Sequence, residues 1–132
     1  MSFTLNQSFR ERFHVSEQTY EGFMQVFKDR NPLHTDEKFA QSKGFAGRVM
    51  HGNILNGFLS YFVGECLPVK NLIIHSQQLN YAQPVYLNDE LLLEATVSAV
   101  SESVNTVEMK IRFTNADGGT VARGKLQIGI LL

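Results

Sequence analysis

Polar and apolar positions alternate at period two over residues 8–15, with Phe9, Phe13 and Val15 on one face and Arg10 and Arg12 on the other. That alternation predicts a half-buried strand, short and charged enough to lie near a sheet edge. The period then lengthens. Ser16 is a helix-capping residue, Glu17 suits the positive end of a helix, and Tyr20, Phe23, Met24 and Phe27 recur at helical spacing. This helix is expected to stop before Pro32, which lacks an amide hydrogen and restricts Asn31 to extended conformations. Residues 29–34 are therefore expected to form a sharp turn without regular structure. Asp36 caps a second, short helix through Phe39 and Ala40 that ends at Gly44, and a glycine-containing loop follows over 45–48. A more apolar helix begins near Gly52 and ends by Leu67 and Pro68. Its Ile54, Leu55, Phe58, Leu59, Phe62 and Val63 form a broad stripe, and the small Gly57 and Ser60 allow close backbone approach, so it is expected to be surrounded by protein.

From Leu72 onward the pattern returns to period two, predicting strands over 72–81 and 91–100, the latter with Leu91, Leu93, Ala95, Val97 and Ala99 inward. Val107, Met109, Ile111 and Phe113 alternate with Glu108, Lys110 and Arg112, Asp117-Gly118-Gly119 turns the chain, and 122–130 returns with Leu126, Ile128 and Ile130 inward. The order is strand, helices, then four strands expected to pair as consecutive antiparallel partners. Such an α+β chain satisfies the burial needs of sheet and helix together when a long curved antiparallel sheet wraps around the apolar helix. The sheet would keep open edges, and pairing them across a two-fold axis predicts a homodimer.

Composition narrows the class. The chain has 132 residues, 12 basic against 13 acidic, and 43% hydrophobic content, which suits one domain over 1–132. A net charge of −1 offers no dense basic face for nucleic acid. The apolar stretches are too short and interrupted to cross a bilayer. The start, Met1-Ser2-Phe3-Thr4, has no signal-peptide pattern, and the single Cys66 cannot form an internal disulfide. A reduced, cytoplasmic setting is expected.

Two segments could carry chemistry. In Asp29-Arg30-Asn31-Pro32-Leu33-His34 a carboxylate and an imidazole flank a proline turn that can aim both at one point. General acid–base catalysis on a water molecule needs such a pair. The same residues also read as a helix-end Asp29, a locally bonded Asn31 and a surface His34. The second segment, Arg48-Val49-Met50-His51-Gly52-Asn53, leads into the apolar helix. Free amides at a helix start, with Gly52 permitting close approach, could hold a carbonyl oxygen as negative charge develops on it. Equally, Gly52 could serve tight packing and His51 could be a buried, hydrogen-bonded residue. His14 and His75 lie in strands, and no His or Cys pair has zinc-ligand spacing. Cys66 reads as a small core residue. Lys43, Arg48 and Lys70 are candidates for phosphate contacts or plain surface charges, and Phe45, Met50, Phe58 and Leu59 for an acyl pocket or plain core.

Asp29-x-Asn31-Pro32-x-His34-x-Asp36 followed by Val49-x-His51-Gly52-x-Ile54-Leu55 resembles the hydratase motif of the MaoC-like, (R)-specific enoyl-CoA hydratases of hot-dog fold. Gln83-Pro84-Val85-Tyr86 and Asn88-Asp89-Glu90-Leu91 extend the likeness over nearly the whole chain. The resemblance implies that Asp29 and His34 bind and activate water, that the Gly52 amide holds a thioester carbonyl, and that Asn31 supports the turn or the orientation of the pair. It implies reversible syn hydration of a trans-2-enoyl thioester, carried on coenzyme A or acyl carrier protein, to the (R)-3-hydroxyacyl thioester. No metal or redox cofactor would be needed, and the site would lie at or near a homodimer interface. Two alternatives keep other readings open: a thioesterase of the same fold, and a non-catalytic acyl-thioester binding module. Where the family commonly has Gly before the aspartate, this chain has Lys28, and 46–50 reads Ala-Gly-Arg-Val-Met in place of the frequent Arg-Pro-Ile-Val. These departures bear on the acyl tunnel and the carrier.

Overall fold

The computed structural model describes residues 2–132. Ser8–His14 forms β1, whose single buried ring is Phe13 and whose only sheet neighbour among the described residues is β3. It occupies a sheet edge, as its charged face predicts. Helix α1 spans Glu17–Phe27; the Ser16 hydroxyl accepts from the Thr19 amide at 3.1 Å. Such a cap contributes on the order of 1 kcal/mol. Tyr20 and Met24 are its buried residues. The helix closes at Lys28, whose φ of 62° lies in the left-handed region and whose amide donates to the Met24 carbonyl at 2.8 Å. That conformation favours glycine, since a side chain in it costs on the order of 1 kcal/mol.

The segment expected to be irregular contains a one-turn helix, α2, over Pro32–Thr35. Asn31 caps it, and Pro32 takes the first turn, where a missing amide hydrogen costs nothing. The proline therefore starts a helix here as well as ending one. Asp36 caps α3, Glu37–Ser42, by accepting from Phe39 N–H at 3.1 Å. The apolar helix α4 runs over Asn53–Tyr61 and continues as a π turn over Phe62–Cys66. Ile54, Leu55, Leu59, Phe62 and Val63 enter the core, but Gly57, Ser60 and Gly64 are exposed. Nothing lies within 4 Å of where a Cβ on Gly57 or Gly64 would stand. The helix is thus covered on one side only, because the sheet supplies one apolar surface and α1 reaches only part of the other.

Strands β2 (Leu72–Tyr81), β3 (Glu90–Ser101), β4 (Thr106–Thr114) and β5 (Thr120–Ile130) join β1 in one antiparallel sheet of order β1-β3-β4-β5-β2. Consecutive pairing holds for β3, β4 and β5 only. β2 pairs with β5 at the far edge, not with β3, because residues 82–89, which turn only at Leu87 and Asn88, do not close a hairpin between the two strands. Instead they cross beside the 48–50 loop, where Val85 accepts from Met50 N–H at 2.8 Å and Tyr86 bridges Val49. A second difference lies in β3. The register shifts between Val97 and Ala99, so Ala99 is exposed and Val100 packs on the core. One extra residue in a ladder reverses the faces beyond it.

The inward faces of β3, β4 and β5 meet α4 in a single cluster that includes Leu93, Val97, Met109, Phe113, Leu126 and Ile128. On the outer face, Glu94 takes Arg112 at 3.1 Å and Arg10 at 3.3 Å across neighbouring strands. The hydrogen bond from Arg112, helped by the charge of Arg10, holds the Glu94 carboxyl below the usual glutamate range.

Candidate active site

The turn leaving α1 is built from consecutive side-chain caps. Asp29 Oδ1 accepts from Asn31 N–H at 3.2 Å, and Asn31 Oδ1 accepts from Leu33 N–H at 2.9 Å. These bonds direct His34, on α2, back toward Asp29. His34 Nε2 stands 3.7 Å from Asp29 Oδ2, too far for a direct hydrogen bond and close enough for one water to touch both. The other ring nitrogen, Nδ1, donates to the Val49 carbonyl at 2.7 Å. A carbonyl can only accept, so the proton sits on Nδ1 and the Nε2 position is free to exchange a proton with whatever lies before it. The His34 side chain is 16% exposed and that of Asp29 51%, so the pair opens toward solvent on the carboxylate side.

Gly52 stands at the start of α4, and its amide makes no hydrogen bond with the described residues. The ring of Tyr81, on β2, comes within 3.0 Å of where a Gly52 Cβ would be, so any other residue would have to displace it. Tyr81 donates its hydroxyl to the Gly52 carbonyl at 3.1 Å and accepts from Asn56 at 3.2 Å. Burial pushes the Tyr81 phenol up, against a smaller opposite effect of the Asn56 bond. Asp29, His34 and Gly52 line one cleft of about 540 Å³, together with Phe45, Met50 and Tyr81. The cleft therefore unites three of the four residues singled out by sequence. The fourth, Asn31, is absent from the cleft lining; its side chain is engaged in the turn.

His51 is the buried, hydrogen-bonded residue that the sequence offered as one reading, but spacing did not reveal that its partners are Asp29 and His34. It is 3% exposed, its Nε2 donates to the Asp29 main-chain carbonyl at 2.8 Å, and its ring stacks on His34 with centroids 4.0 Å apart. Tyr20 closes the same cluster by donating its hydroxyl to the His34 carbonyl at 2.6 Å. A tyrosine in a buried helix stripe needs a polar partner, which is the signal that could have marked it. Asp29, His34 and His51 also bring potential metal-ligand atoms within 4.8 Å of one another, although their chain positions lack metal-site spacing. One nitrogen of each imidazole already donates to a carbonyl, and stacked rings do not aim their nitrogens at a common point. The arrangement suits proton exchange at His34 Nε2 better than coordination.

The remaining candidates separate cleanly. Phe45 and Met50 line the cleft, Phe58 lines a separate apolar groove between α1 and α4, and Leu59 is fully buried. Arg48 lies 3.5 Å from Glu37 and over the Tyr20 ring, while Lys70 donates to the Gly64 and Glu65 carbonyls at the end of the π turn. Lys43 lies over the Phe39 ring. Cys66 packs partly on the core, and burial, then the nearby Glu11, push its thiol up, away from the thiolate a nucleophile requires. Among the described residues no helix is long and apolar enough to cross a membrane.

A five-stranded antiparallel sheet with a helix on its inner face, carrying this cleft, defines a hot-dog protein. The match to the MaoC like domain model covers residues 4–117, and the chain belongs to that family. It is 31% identical to the (R)-specific enoyl-CoA hydratase of Aeromonas caviae over 103 residues, 78% of this chain and 77% of that one. It is 30% identical to a mitochondrial 3-hydroxyacyl-[acyl-carrier-protein] dehydratase of Arabidopsis thaliana over 76% of this chain and 60% of that one. The solved structure of the (R)-hydratase from A. caviae involved in PHA biosynthesis superposes with a TM-score of 0.89 at 27% identity, covering 98% of each chain.

Proposed function

We propose that this protein is a hydro-lyase that reversibly adds water to trans-2-enoyl thioesters, giving (R)-3-hydroxyacyl thioesters. The observation that carries the reading is the facing of Asp29 and His34 across 3.7 Å in the cleft that also contains the unpartnered Gly52 amide. A water held by the pair bonds through oxygen to the β-carbon of the conjugated thioester. The π electrons move toward the thioester oxygen, where the Gly52 amide stabilises the negative charge; donors of this kind contribute about 3 kcal/mol each. A proton passes from water to the pair and one returns from the pair to the α-carbon. Water is consumed whole, and the pair ends with the protons it began with. Because the two groups stand only 3.7 Å apart, hydrogen and oxygen are delivered from one place and add to the same face.

The reaction changes no overall oxidation state, so a positioned acid–base pair and a polarised carbonyl suffice, without a redox cofactor. Both substrate carriers remain within the proposal: the A. caviae relative is named for coenzyme A thioesters and the Arabidopsis one for acyl-carrier-protein thioesters. A homodimer belongs to it as well, supported by the unpaired outer edges of β1 and β2 and by the uncovered Gly57, Ser60 and Gly64 side of α4. So does a cytoplasmic setting, supported by the lone cysteine.

The test is the ultraviolet absorbance of crotonyl-CoA at its conjugated-thioester band, followed with the purified protein beside a thiol-trapping reagent. The expected result is loss of absorbance without free thiol. Release of thiol assigns the site to thioester hydrolysis instead, and neither signal across longer acyl chains and carrier-protein substrates removes the enzymatic reading.

A further inference from the structure

Building on the hydratase reading, we propose that His51 is a positioning residue that fixes both members of the Asp29–His34 pair. Its Nε2 donates to the main-chain carbonyl of Asp29 at 2.8 Å, and its ring lies against that of His34 with centroids 4.0 Å apart and planes 29° from parallel. One buried side chain thus holds the backbone under the carboxylate and the ring beside the imidazole. Phe23 backs it at 4.6 Å between centroids. His51 Nδ1 is buried without a hydrogen-bond partner. With the proton on Nε2, Nδ1 presents only a lone pair; a proton on Nδ1 would be a buried donor with nothing to receive it. The tautomer is therefore set by the bond to Asp29.

The alternative, that His51 only fills space, leaves its bond to Asp29 unexplained. An apolar side chain would fill the same volume without stranding a polar atom. The second carbonyl of the pair is tied in the same way, by Tyr20 at 2.6 Å from His34 O. His51, itself part of the cleft lining, and Tyr20 each bond a main-chain carbonyl of the pair and neither of its side-chain functional atoms. Their action is on where Asp29 Oδ2 and His34 Nε2 stand relative to one another, and sub-ångström shifts there matter because proton transfer needs hydrogen-bond geometry.

Kinetics and imidazole NMR on the full chain test this together. His51→Phe keeps a flat ring against His34 and deletes the N–H. With crotonyl-CoA as probe, it should lower kcat on the order of tenfold or more and leave KM within about twofold, because the pair is displaced while the carbonyl-binding amide is not. His51→Gln, which restores a donor of similar reach, should recover most of the loss. Unchanged kcat in His51→Phe, or a loss confined to KM, overturns the proposal. If His51→Phe does not fold, the outcome rests on His51→Gln and on the wild type. Nitrogen-15 shifts of the wild type should place the proton of His51 on Nε2 and that of His34 on Nδ1. A proton on His51 Nδ1 overturns the proposal whatever the turnover. A wild type that shows these tautomers and hydrates neither crotonyl-CoA nor longer-chain and carrier-protein enoyl thioesters refutes the hydratase reading and leaves the positioning geometry standing.

Discussion

Leu93 on β3 is held by strands on both sides, paired with Glu11 and Phe113, and by complete burial in a core shared with α4. Asp29 has no ladder and no burial; single bonds through its Oδ1 and its carbonyl hold it, with His34 tethered by Val49 and Tyr20. The sheet is over-determined, so losing one contact leaves many. The site is determined by bonds that occur once each. Stability should therefore respond to changes in the sheet and turnover to changes at the site, with little crossing between them.

The largest effect should come where the sheet has no slack. Gly124 on β5 faces the β2 backbone so closely that an added Cβ would overlap the Gln78 carbonyl. Backbone of a neighbouring strand cannot rotate aside as a side chain can. Gly124→Ala should destabilise by about 3 kcal/mol or more, read as a lowered midpoint in urea, and lose activity only in proportion to unfolding. A fully folded variant with a wild-type midpoint would show that the edge pairing of β2 with β5 yields easily. At the site the converse is expected. Asp29→Asn keeps an oxygen that can accept from Asn31 N–H and removes the carboxylate charge, so turnover should fall on the order of a hundredfold with the midpoint unchanged. Wild-type turnover would remove Asp29 from the proposed chemistry, and a large loss of stability would break the contrast with the sheet.

How far each region was legible in the sequence follows the same division. Alternation reports which face of a strand is buried, so the strand positions and inward residues of β3 to β5 could be read directly up to the bulge that turns Ala99 outward. It does not report neighbours, and β2 was misplaced because its partner is 122–130 in sequence, not the next strand. Asp29 and His34 were legible as a pair because one turn contains both. His51, Tyr20 and the Val49 carbonyl act on that pair from elsewhere in the chain, through bonds that only the fold brings together. The role of Pro32 was misread for a related reason. Its ring forbids helix before it and favours helix after it, and only the Asn31 cap decides that α2 begins there.

The smallest effect separates strain in the site's approach from strain in the sheet's turns. Among the described residues, those with positive φ other than glycine are Asn6, Lys28, Asn88 and Asn105. Asparagine tolerates the left-handed region because its short amide bonds locally, whereas lysine has no such compensation. Lys28 is exposed, and the backbone bond from its amide to Met24 would survive in glycine. Lys28→Gly should therefore stabilise, by about 0.5–1 kcal/mol after the greater freedom of glycine in the unfolded chain is counted. In a domain of this size that raises Tm by roughly 3 °C. Asn105→Gly, at φ 53° between β3 and β4, should gain less or nothing. Equal shifts in the two variants would mean that the position before Asp29 carries no strain of its own. A larger shift at 28 would mean that the chain holds the Asp29–His34 turn against a local preference, through the bonds from Asn31, His51 and Tyr20 that the sheet does not need.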